Sequence, residues 1–440
     1  MRPIYFLLNI SLGYSFRLFY RRQLQINNKH PRYGSTIYVS NHPNSFMDPL
    51  LIGHNNKPIV HFMARADVFK WWLKPIVWAA HMLPIFRQHD GEDTKAKNQG
   101  SFDEVNRSLA IGRNILIFGE GFTDDVPIRG LKPVKKGAAR MGFSALEAIN
   151  WSKNIYMCAL GITYTDRNTM GSESLLVNGE RICLNDYKEA YQANPSKTIN
   201  EVTKLIERDM QECITYVADK NWYSFLENVM QLTRKGINHQ NHDRAIPLKE
   251  RWDYSRRLAK WMNAQKLDEN EELVSLKKDM DAYFNLQKRM KMQDRFVLAK
   301  DHPEFKNRTK ELLIILFAWP LAILGMIHGF IPYIVVKKFT EKSFRRKVFW
   351  GSVKMMLGKL LGTIYNIPII CVVTHYFLPY WWLGIIYYFI VPMICWVAWR
   401  YVVAISEFRI KGAMDKIDVS KFADRRAELV KRVHELVPVA

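Results

Sequence analysis

The sequence predicts an α/β domain, a mixed sheet flanked by helices, followed by a helical region and then by membrane-embedded hydrophobic helices. Three observations lead to this fold class. Strand-like and helix-like segments alternate from about residue 30 to residue 215. Charged residues then become frequent, and glycine nearly disappears, between residues 216 and 310. Two long and almost uncharged blocks follow, residues 312–336 and 360–404.

Residues 1–25 contain an apolar run that ends at Arg21 and Arg22. The run is too short, and too closely flanked by charge, to predict a membrane span. It fits two structures: an amphipathic helix on the bilayer surface, or a helix packed on the core of the next domain. Because no small-residue cleavage site follows, we do not interpret the segment as a signal peptide.

The α/β domain, residues 26–215, contains four apolar runs that predict strands. They lie at residues 35–40, 83–86, 114–118 and 155–165. A tryptophan-rich helix is expected between Ala64 and the second strand, and another helix at residues 102–112. This alternation of strands and helices is typical of an α/β sheet.

A polar stretch follows each of the strands at 35–40 and 114–118. The two stretches are Asn41-His42-Pro43-Asn44-Ser45-Phe46-Met47-Asp48 and Phe118-Gly119-Glu120-Gly121-Phe122. Sites of α/β sheets form at the carboxyl ends of strands, so both stretches are candidates for a site. On a straight helix His42 and Asp48 would point about 120° apart. They can meet only if the chain bends, which Pro43 favours, and an imidazole oriented by a carboxylate is a general base.

The helical region, residues 216–310, has apolar residues at helical spacing, for example Leu258 and Met262. The pattern predicts helices joined by a hairpin-like turn near residues 265–271. Its high charge fits a solvated spacer or a partner surface, and the sequence specifies no function for it.

Residues 311–404 predict membrane-embedded hairpins with a basic loop at residues 337–359. The first apolar block is interrupted by Pro320, Gly325, Gly329 and Pro332. With a cytosolic catalytic domain, one full crossing by this block would place the basic loop outside, against the positive-inside rule.

We therefore expect a shallow re-entrant hairpin centred near Gly325 and a deeper one that folds at residues 379–382. Both return the basic loop and the charged tail, residues 405–440, to the cytosol. Three full spans with an external tail are the alternative.

Composition indicates an acidic partner. Lys and Arg total 64 against 42 for Asp and Glu, a net charge of +22, which suits nucleic acid, anionic lipid or a phosphorylated substrate. An aromatic content of 13% and the long apolar blocks favour lipid over nucleic acid. The five cysteines are scattered without a Cys-x-x-Cys pair, as in reduced, cytosol-facing proteins.

Residues 35–165 resemble the glycerolipid acyltransferase superfamily, which includes lysophosphatidate and glycerol-3-phosphate acyltransferases. His42 and Asp48 match its first motif, the His-x-x-x-x-Asp pair. Residues 63–70 and 83–87 match its second block, and Phe118-Gly119-Glu120-Gly121 matches the Phe-Pro-Glu-Gly of its third motif. Residues 131–138 match the run that follows. The residues around Asp48, the helical insert and the hydrophobic C-terminal pairs are most similar to fungal-type glycerol-3-phosphate/dihydroxyacetone-phosphate acyltransferases.

The resemblance implies a membrane-bound O-acyltransferase of phospholipid biosynthesis. Its acyl donor would be acyl-CoA or acyl carrier protein, and its acceptor glycerol 3-phosphate or 1-acyl-glycerol 3-phosphate. His42, oriented by Asp48, would take the proton from the acceptor hydroxyl, which attacks the thioester. No cofactor, metal or acyl-enzyme is needed, and membrane lipids are the expected partners, with no nucleic acid.

Five further residues have roles implied by the resemblance. Arg87, Lys135 and Lys136 are suited to hold the acceptor phosphate, although the two lysines also fit a solvated face. Glu120, together with Gly121, would shape the turn that faces the substrate. The Glu120 carboxylate would bind the acceptor hydroxyls or only anchor neighbouring amides.

The chain departs from the family pattern at two places. The third motif usually continues Thr-Arg-Ser, whereas this chain has Phe122-Thr123-Asp124, so an arginine suited to phosphate is missing. Candidates to replace it are Arg129, Lys135, Lys136 and Arg140. The fourth block, residues 157–160, lacks the usual proline, and no function is assigned to it.

Two other classes of function remain open. A metal-dependent lipid phosphoesterase could also use histidine and carboxylates, but no second histidine stands at ligand spacing around these motifs. A non-enzymatic membrane scaffold would explain the basic charge and the hairpins, but not the ordered blocks.

Overall fold

The computed structural model divides the chain into two compact units, Met1–Lys220 and Asn221–Ala440. The residues that it describes are 3–27, 34–55, 60–66, 69, 71, 74–85, 94–121, 123–124, 129–238, 243 and 245–438.

The first unit is an α/β domain. Its strands are β1 (Tyr20–Ile26), β2 (Thr36–Ser40), β3 (Val60–Arg65), β4 (Met82–Ile85), β5 (Asn114–Phe118), β6 (Tyr156–Tyr164) and β7 (Ser172–Cys183). Its helices are α1 (Pro3–Phe19), α2 (Met47–Asn55), α3 (Lys74–Ala79), α4 (Thr94–Ala110), α5 (Gly137–Ala148), α6 (Lys188–Ala193) and α7 (Pro195–Cys213).

The strands form one sheet in the order β1-β7-β6-β2-β5-β3-β4. Among the strand pairs of the described residues, only β6–β7 is antiparallel, so the predicted mixed sheet flanked by helices is confirmed. The all-buried strand β2 lies between β5 and β6, which explains its continuous apolar run. Ser40 of β2 is the register partner of Phe118 in β5, so the two motif stretches leave the sheet side by side.

Helix α1 packs on the α/β domain. Its Asn9 Nδ2 donates to the Gly53 carbonyl of α2 at 2.9 Å. Gly13 faces the His54 ring, where a Cβ atom would collide with it. Phe6 and Ile10 are about half exposed, at 52% and 49%. The helix therefore has the predicted packed face, and it also keeps an apolar face that can contact a bilayer.

Three strands, β1, β3 and β7, were not expected from the sequence. β1 carries many polar residues because it is an edge strand that is partly exposed, and β7 also carries polar residues although it lies between β1 and β6. β3 includes Ala64 and Arg65, the first residues of the segment predicted to contain a tryptophan-rich helix, and α3 lies within that segment. The buried Val60 and Phe62 hold β3 between β4 and β5.

The second unit begins with helices around a mainly apolar core that also contains buried polar side chains. They are α8 (Tyr223–Thr233), α9 (Leu248–Ala264), α10 (Glu271–Arg289) and α11 (Asp294–Leu298). The predicted turn separates α9 from α10, and the Asn270 side chain caps α10 by accepting from the Leu273 amide at 3.1 Å.

The charged tail is largely structured. Its helix α16 (Ser420–Leu436) packs against α8, α10 and α11. Arg426 Nε donates to both oxygens of the buried Asp294 carboxylate, at 3.1 and 3.0 Å. Arg432 pairs with Asp279 at 2.6 Å. These contacts make α16 part of the helical region.

Four helices occupy the apolar part of the chain: α12 (Thr309–Phe317), α13 (Trp319–Ser343), α14 (Trp350–Phe377) and α15 (Trp382–Ala413). By length and composition, α13, α14 (with the short turn before it) and α15 could each cross a membrane. The chain reverses between α14 and α15 at residues 378–381, close to the predicted fold at 379–382.

The re-entrant hairpin predicted near Gly325 is wrong, since Gly325 lies inside the continuous helix α13. The glycines of α13 do not form a turn, and they allow α13 to pack closely against α15. A Cβ atom at Gly325 would collide with the Ile394 carbonyl of α15, and one at Gly329 would meet Cys395 Sγ at 3.1 Å. This Gly-x-x-x-Gly face lets α13 approach α15 closely.

Candidate active site

The His42 stretch forms a tight turn between β2 and α2. The Met47 and Asp48 amides donate to the carbonyls of Asn44 and Ser45, at 3.0 and 3.2 Å. Ser45 has a φ of +47°, in the left-handed region. Five residues separate His42 from Asp48, one more than in the His-x-x-x-x-Asp motif, which corrects that match. The turn at Ser45 accommodates the extra residue.

The turn brings His42 and Asp48 together, as predicted. The His42 Nδ1 to Asp48 Oδ2 distance is 2.9 Å. Asp48 is fully buried, while the His42 side chain is 21% exposed and stacks on Phe118 with ring centroids 4.0 Å apart. With Nδ1 facing the carboxylate, Nε2 is the ring nitrogen left for a proton from a substrate.

The Glu120 carboxylate binds the backbone of two neighbouring segments. Oε1 accepts from the His42 amide at 3.0 Å, and Oε2 accepts from the Lys132 amide at 3.3 Å. Burial raises the pKa of the Glu120 carboxyl above its usual range. Of the two roles expected for Glu120, this geometry favours the anchoring of amides.

We expect a Glu120→Gln variant to have a lower kcat and a nearly unchanged acceptor KM. The glutamine side chain has one oxygen in place of two, so the backbone amide of either His42 or Lys132 loses its acceptor. His42 is then less firmly held by its backbone, although its ring still contacts Asp48. A hydrogen bond to a charged group contributes about 1.5–3 kcal/mol, so kcat should fall roughly tenfold or more. Steady-state kinetics measures both values. A raised acceptor KM with normal kcat would show that Glu120 binds substrate instead.

The predicted basic residues are only partly at this site. The Lys135 ammonium lies over Gly121, where a Cβ atom would come within 2.8 Å of Nζ. Gly121 has a φ of +69°, which favours glycine. Lys136 is exposed at the N-cap position of α5, and Arg140 is exposed on that helix. Arg87 lies outside the described residues.

Several residues around the turn were not expected from the sequence. Asp48 Oδ1 accepts from the Tyr164 hydroxyl at 2.8 Å, and Oδ2 accepts from the Asn44 amide at 2.7 Å. Asn41 pairs through its side-chain amide with both backbone groups of Ile162, at 2.7 and 3.0 Å. These contacts fix the turn to β6, the strand next to β2.

A second group fixes the turn from β1 and from the segment after β6. Arg167 Nη1 donates to the Pro43 carbonyl at 2.7 Å and to the Asp124 carbonyl at 2.9 Å. The Tyr20 hydroxyl accepts from Asn44 Nδ2 at 3.0 Å. The sequence offered one signal for two of these residues: Tyr164 stands at the end of a predicted strand, and Arg167 stands just beyond it.

The described site residues lie within a part of the chain that matches a known protein family. Residues 21–167 match the family model described as Acyltransferase. A similar solved structure is the 1-acyl-sn-glycerophosphate (LPA) acyltransferase PlsC from Thermotoga maritima, with 16% sequence identity and a TM-score of 0.33. The similarity covers 46% of this chain and 80% of that chain. No curated protein sequence matches the chain. The family match includes His42, Asp48, Glu120 and Tyr164.

Proposed function

We propose that this chain is a glycerolipid acyltransferase that acylates a glycerol phosphate, and the match of residues 21–167 to the Acyltransferase family model supports this. The acyl donor is acyl-CoA or acyl carrier protein, and the acceptor is glycerol 3-phosphate or 1-acyl-glycerol 3-phosphate. The observation that carries this proposal is the partly exposed imidazole of His42, held at 2.9 Å by a buried carboxylate.

The proposed reaction uses His42 as general base and then as general acid. Nε2 takes the proton of the acceptor hydroxyl while the hydroxyl oxygen attacks the thioester carbonyl. When the carbon–sulfur bond breaks, the imidazolium returns that proton to the leaving thiolate. Asp48 stays ionised and holds the imidazole in the tautomer that has its proton on Nδ1.

The acceptor phosphate is proposed to bind near Gly121. Lys135 places its ammonium over Gly121. The Lys135 amide donates to the Gly119 carbonyl at 3.1 Å, so the N-terminus of α5, two residues further on, is near the same turn. The first amides of a helix, together with a lysine, suit a phosphate. Arg87 remains a predicted third cation.

Lys135→Ala and Arg87→Ala are expected to raise the acceptor KM roughly tenfold or more, because a charged hydrogen bond contributes about 1.5–3 kcal/mol. Lys136→Ala should have a smaller effect, and Lys197→Ala, an exposed lysine of α7, should behave as the wild type. Initial rates at varied acceptor concentration measure this. If the donor KM rises and the acceptor KM does not, these cations bind the donor.

The proposed function is tested with purified full-length protein in detergent or vesicles. Glycerol 3-phosphate, dihydroxyacetone phosphate and 1-acyl-glycerol 3-phosphate are each combined with acyl-CoA and with acyl carrier protein. Release of the donor thiol together with formation of the acylated product is expected for at least one pair. Absence of transfer for every pair, by protein that is folded, would overturn the proposal.

The catalytic domain is further proposed to work at the cytosolic surface of a membrane. Support comes from the three long apolar helices and from the apolar face of α1. Product chemistry agrees, since an acylated glycerol phosphate partitions into lipid.

A further inference from the structure

Tyr164 ends strand β6 at the site. β6 lies next to β2, and Ser40 and Leu160 are partners in their register, so the two strands end at the same edge of the sheet. From the end of β6, the Tyr164 hydroxyl donates to Asp48 Oδ1 at 2.8 Å. Tyr164 is the one described side chain, apart from His42, that an observed hydrogen bond joins to this carboxylate.

The Asp48 carboxylate is fully buried, so it depends on donors from the protein. Oδ2 accepts from His42 Nδ1 and from the Asn44 amide, whereas the Oδ1 bond comes from Tyr164. A buried carboxylate oxygen without a donor is costly. Without the phenol, the two carboxylate oxygens would compete for the donors of the turn.

We propose that Tyr164 is a positioning residue for the general base, acting through Asp48. Its hydroxyl sets the rotation of the carboxylate and reduces the negative charge that the His42 imidazole experiences. The inference rests on the proposed function, in which His42 is the base.

The surroundings of Tyr164 suit this role. Burial, and next the charge of Asp48, raise the pKa of the Tyr164 phenol well above its usual range, so it remains a donor at every working pH. Its ring packs on Tyr20 with centroids 5.1 Å apart. The Tyr20 hydroxyl in turn donates to the Arg167 carbonyl at 3.1 Å, which fixes the Tyr20 ring that Tyr164 packs on.

The test is a Tyr164→Phe variant of the full chain. We expect kcat to fall roughly 10- to 100-fold, as for a lost hydrogen bond to a charged group, with both KM values unchanged. The acid limb of the pH profile should move to higher pH, because a carboxylate without this donor stabilises the imidazolium better. A merely structural role would lower the amount of folded enzyme without moving that limb.

Two comparisons isolate the effect. Tyr156→Phe makes the same substitution at the opposite end of β6, where the ring contacts Arg181, and should leave kinetics and pH profile unchanged. In an Asp48→Asn background, Tyr164→Phe should cost far less than in the wild type, because both residues act as one unit. Full additivity in this double-mutant cycle would overturn the inference.

A measurement without activity separates the inference from the proposed function. In protein labelled with ¹³C-histidine, the His42 resonance is assigned through His42→Ala, and its titration midpoint is compared between wild type and Tyr164→Phe. An upward shift supports the inference even if no acyl transfer is found. An unchanged or lower midpoint overturns it, whether or not the enzyme is active. A raised KM with normal kcat would also overturn it, by placing Tyr164 on a substrate.

Discussion

His42→Ala and Asp48→Ala variants are expected to lose acyl transfer by roughly 10²–10⁴-fold, the usual contribution of a general base. His42 supplies the accepting nitrogen, and Asp48 supplies the bond that fixes it, at 2.9 Å. Because the two act as one unit, the double variant should be little worse than the worse single variant. Single-turnover assays at saturating substrate measure the loss directly.

The control for this series is His434→Ala, which removes an exposed histidine of α16 and should leave activity unchanged. Asp48→Asn keeps the size of the buried side chain, so it separates loss of charge from a packing defect. Thermal unfolding checks that each variant is folded. Near-normal turnover by a folded His42→Ala variant would contradict the mechanism. Biological function retained by a His42→Ala variant that has lost turnover would favour a scaffold function.

Labelling of cysteines is expected to place both ends of the apolar segment on one side of the membrane. Lys411 Nζ at the end of α15 pairs with Glu311 at the start of α12, at 3.0 Å. Arg295 pairs with Glu407 at 2.6 Å. The chain therefore enters and leaves the apolar segment at neighbouring points. If those points share one aqueous side, the number of full crossings is even, and α13, α14 and α15 cannot each cross once.

The measurement uses a cysteine-free background with single cysteines at Lys288, Arg345 and His434, which are all exposed. We expect an impermeant thiol reagent to label Lys288→Cys and His434→Cys from the same side only, and the side from which Arg345→Cys reacts shows whether α13 crosses. Labelling after permeabilisation is the control for reactivity. If His434→Cys reacts only from the opposite side to Lys288→Cys, the number of full crossings is odd, as in the alternative with three full spans. If only Arg345→Cys does so, α13 crosses the bilayer completely.

The sequence predicted the parts of the fold in which local pattern and tertiary environment agree. The apolar runs of β2, β5 and β6 are buried in the sheet, and they were found almost to the residue. β1 was missed because Arg21, Arg22 and Gln23 interrupt its pattern, and only pairing with β7 makes it a strand. Gly325 was taken as a turn because the sequence cannot show that a neighbouring helix passes close to it.

The residues of the candidate site divide in the same way, into those that a local sequence pattern predicts and those whose contacts depend on the tertiary structure. His42, Asp48 and Glu120 were found because each belongs to a recognisable stretch that follows a strand. Tyr164 and Arg167 were not, since their contacts depend on the order of strands, which places β6 beside β2. The role of Glu120 was open for a similar reason, as only coordinates show that its oxygens accept from the His42 and Lys132 amides.

The docking of α16 has a consequence for biosynthesis. In the folded protein the buried Asp294 carboxylate binds Arg426, which follows all the apolar helices in the chain. The ribosome therefore synthesises those helices before it adds Arg426. Until then the buried Asp294 carboxylate lacks the Arg426 guanidinium, which opposes closure of the helical region. Synthesis of the apolar helices therefore precedes completion of the second unit. A protein truncated before α12 would lack α16 and its Arg426, so the helical region would be incompletely packed. A water-soluble version must therefore retain residues 420–436.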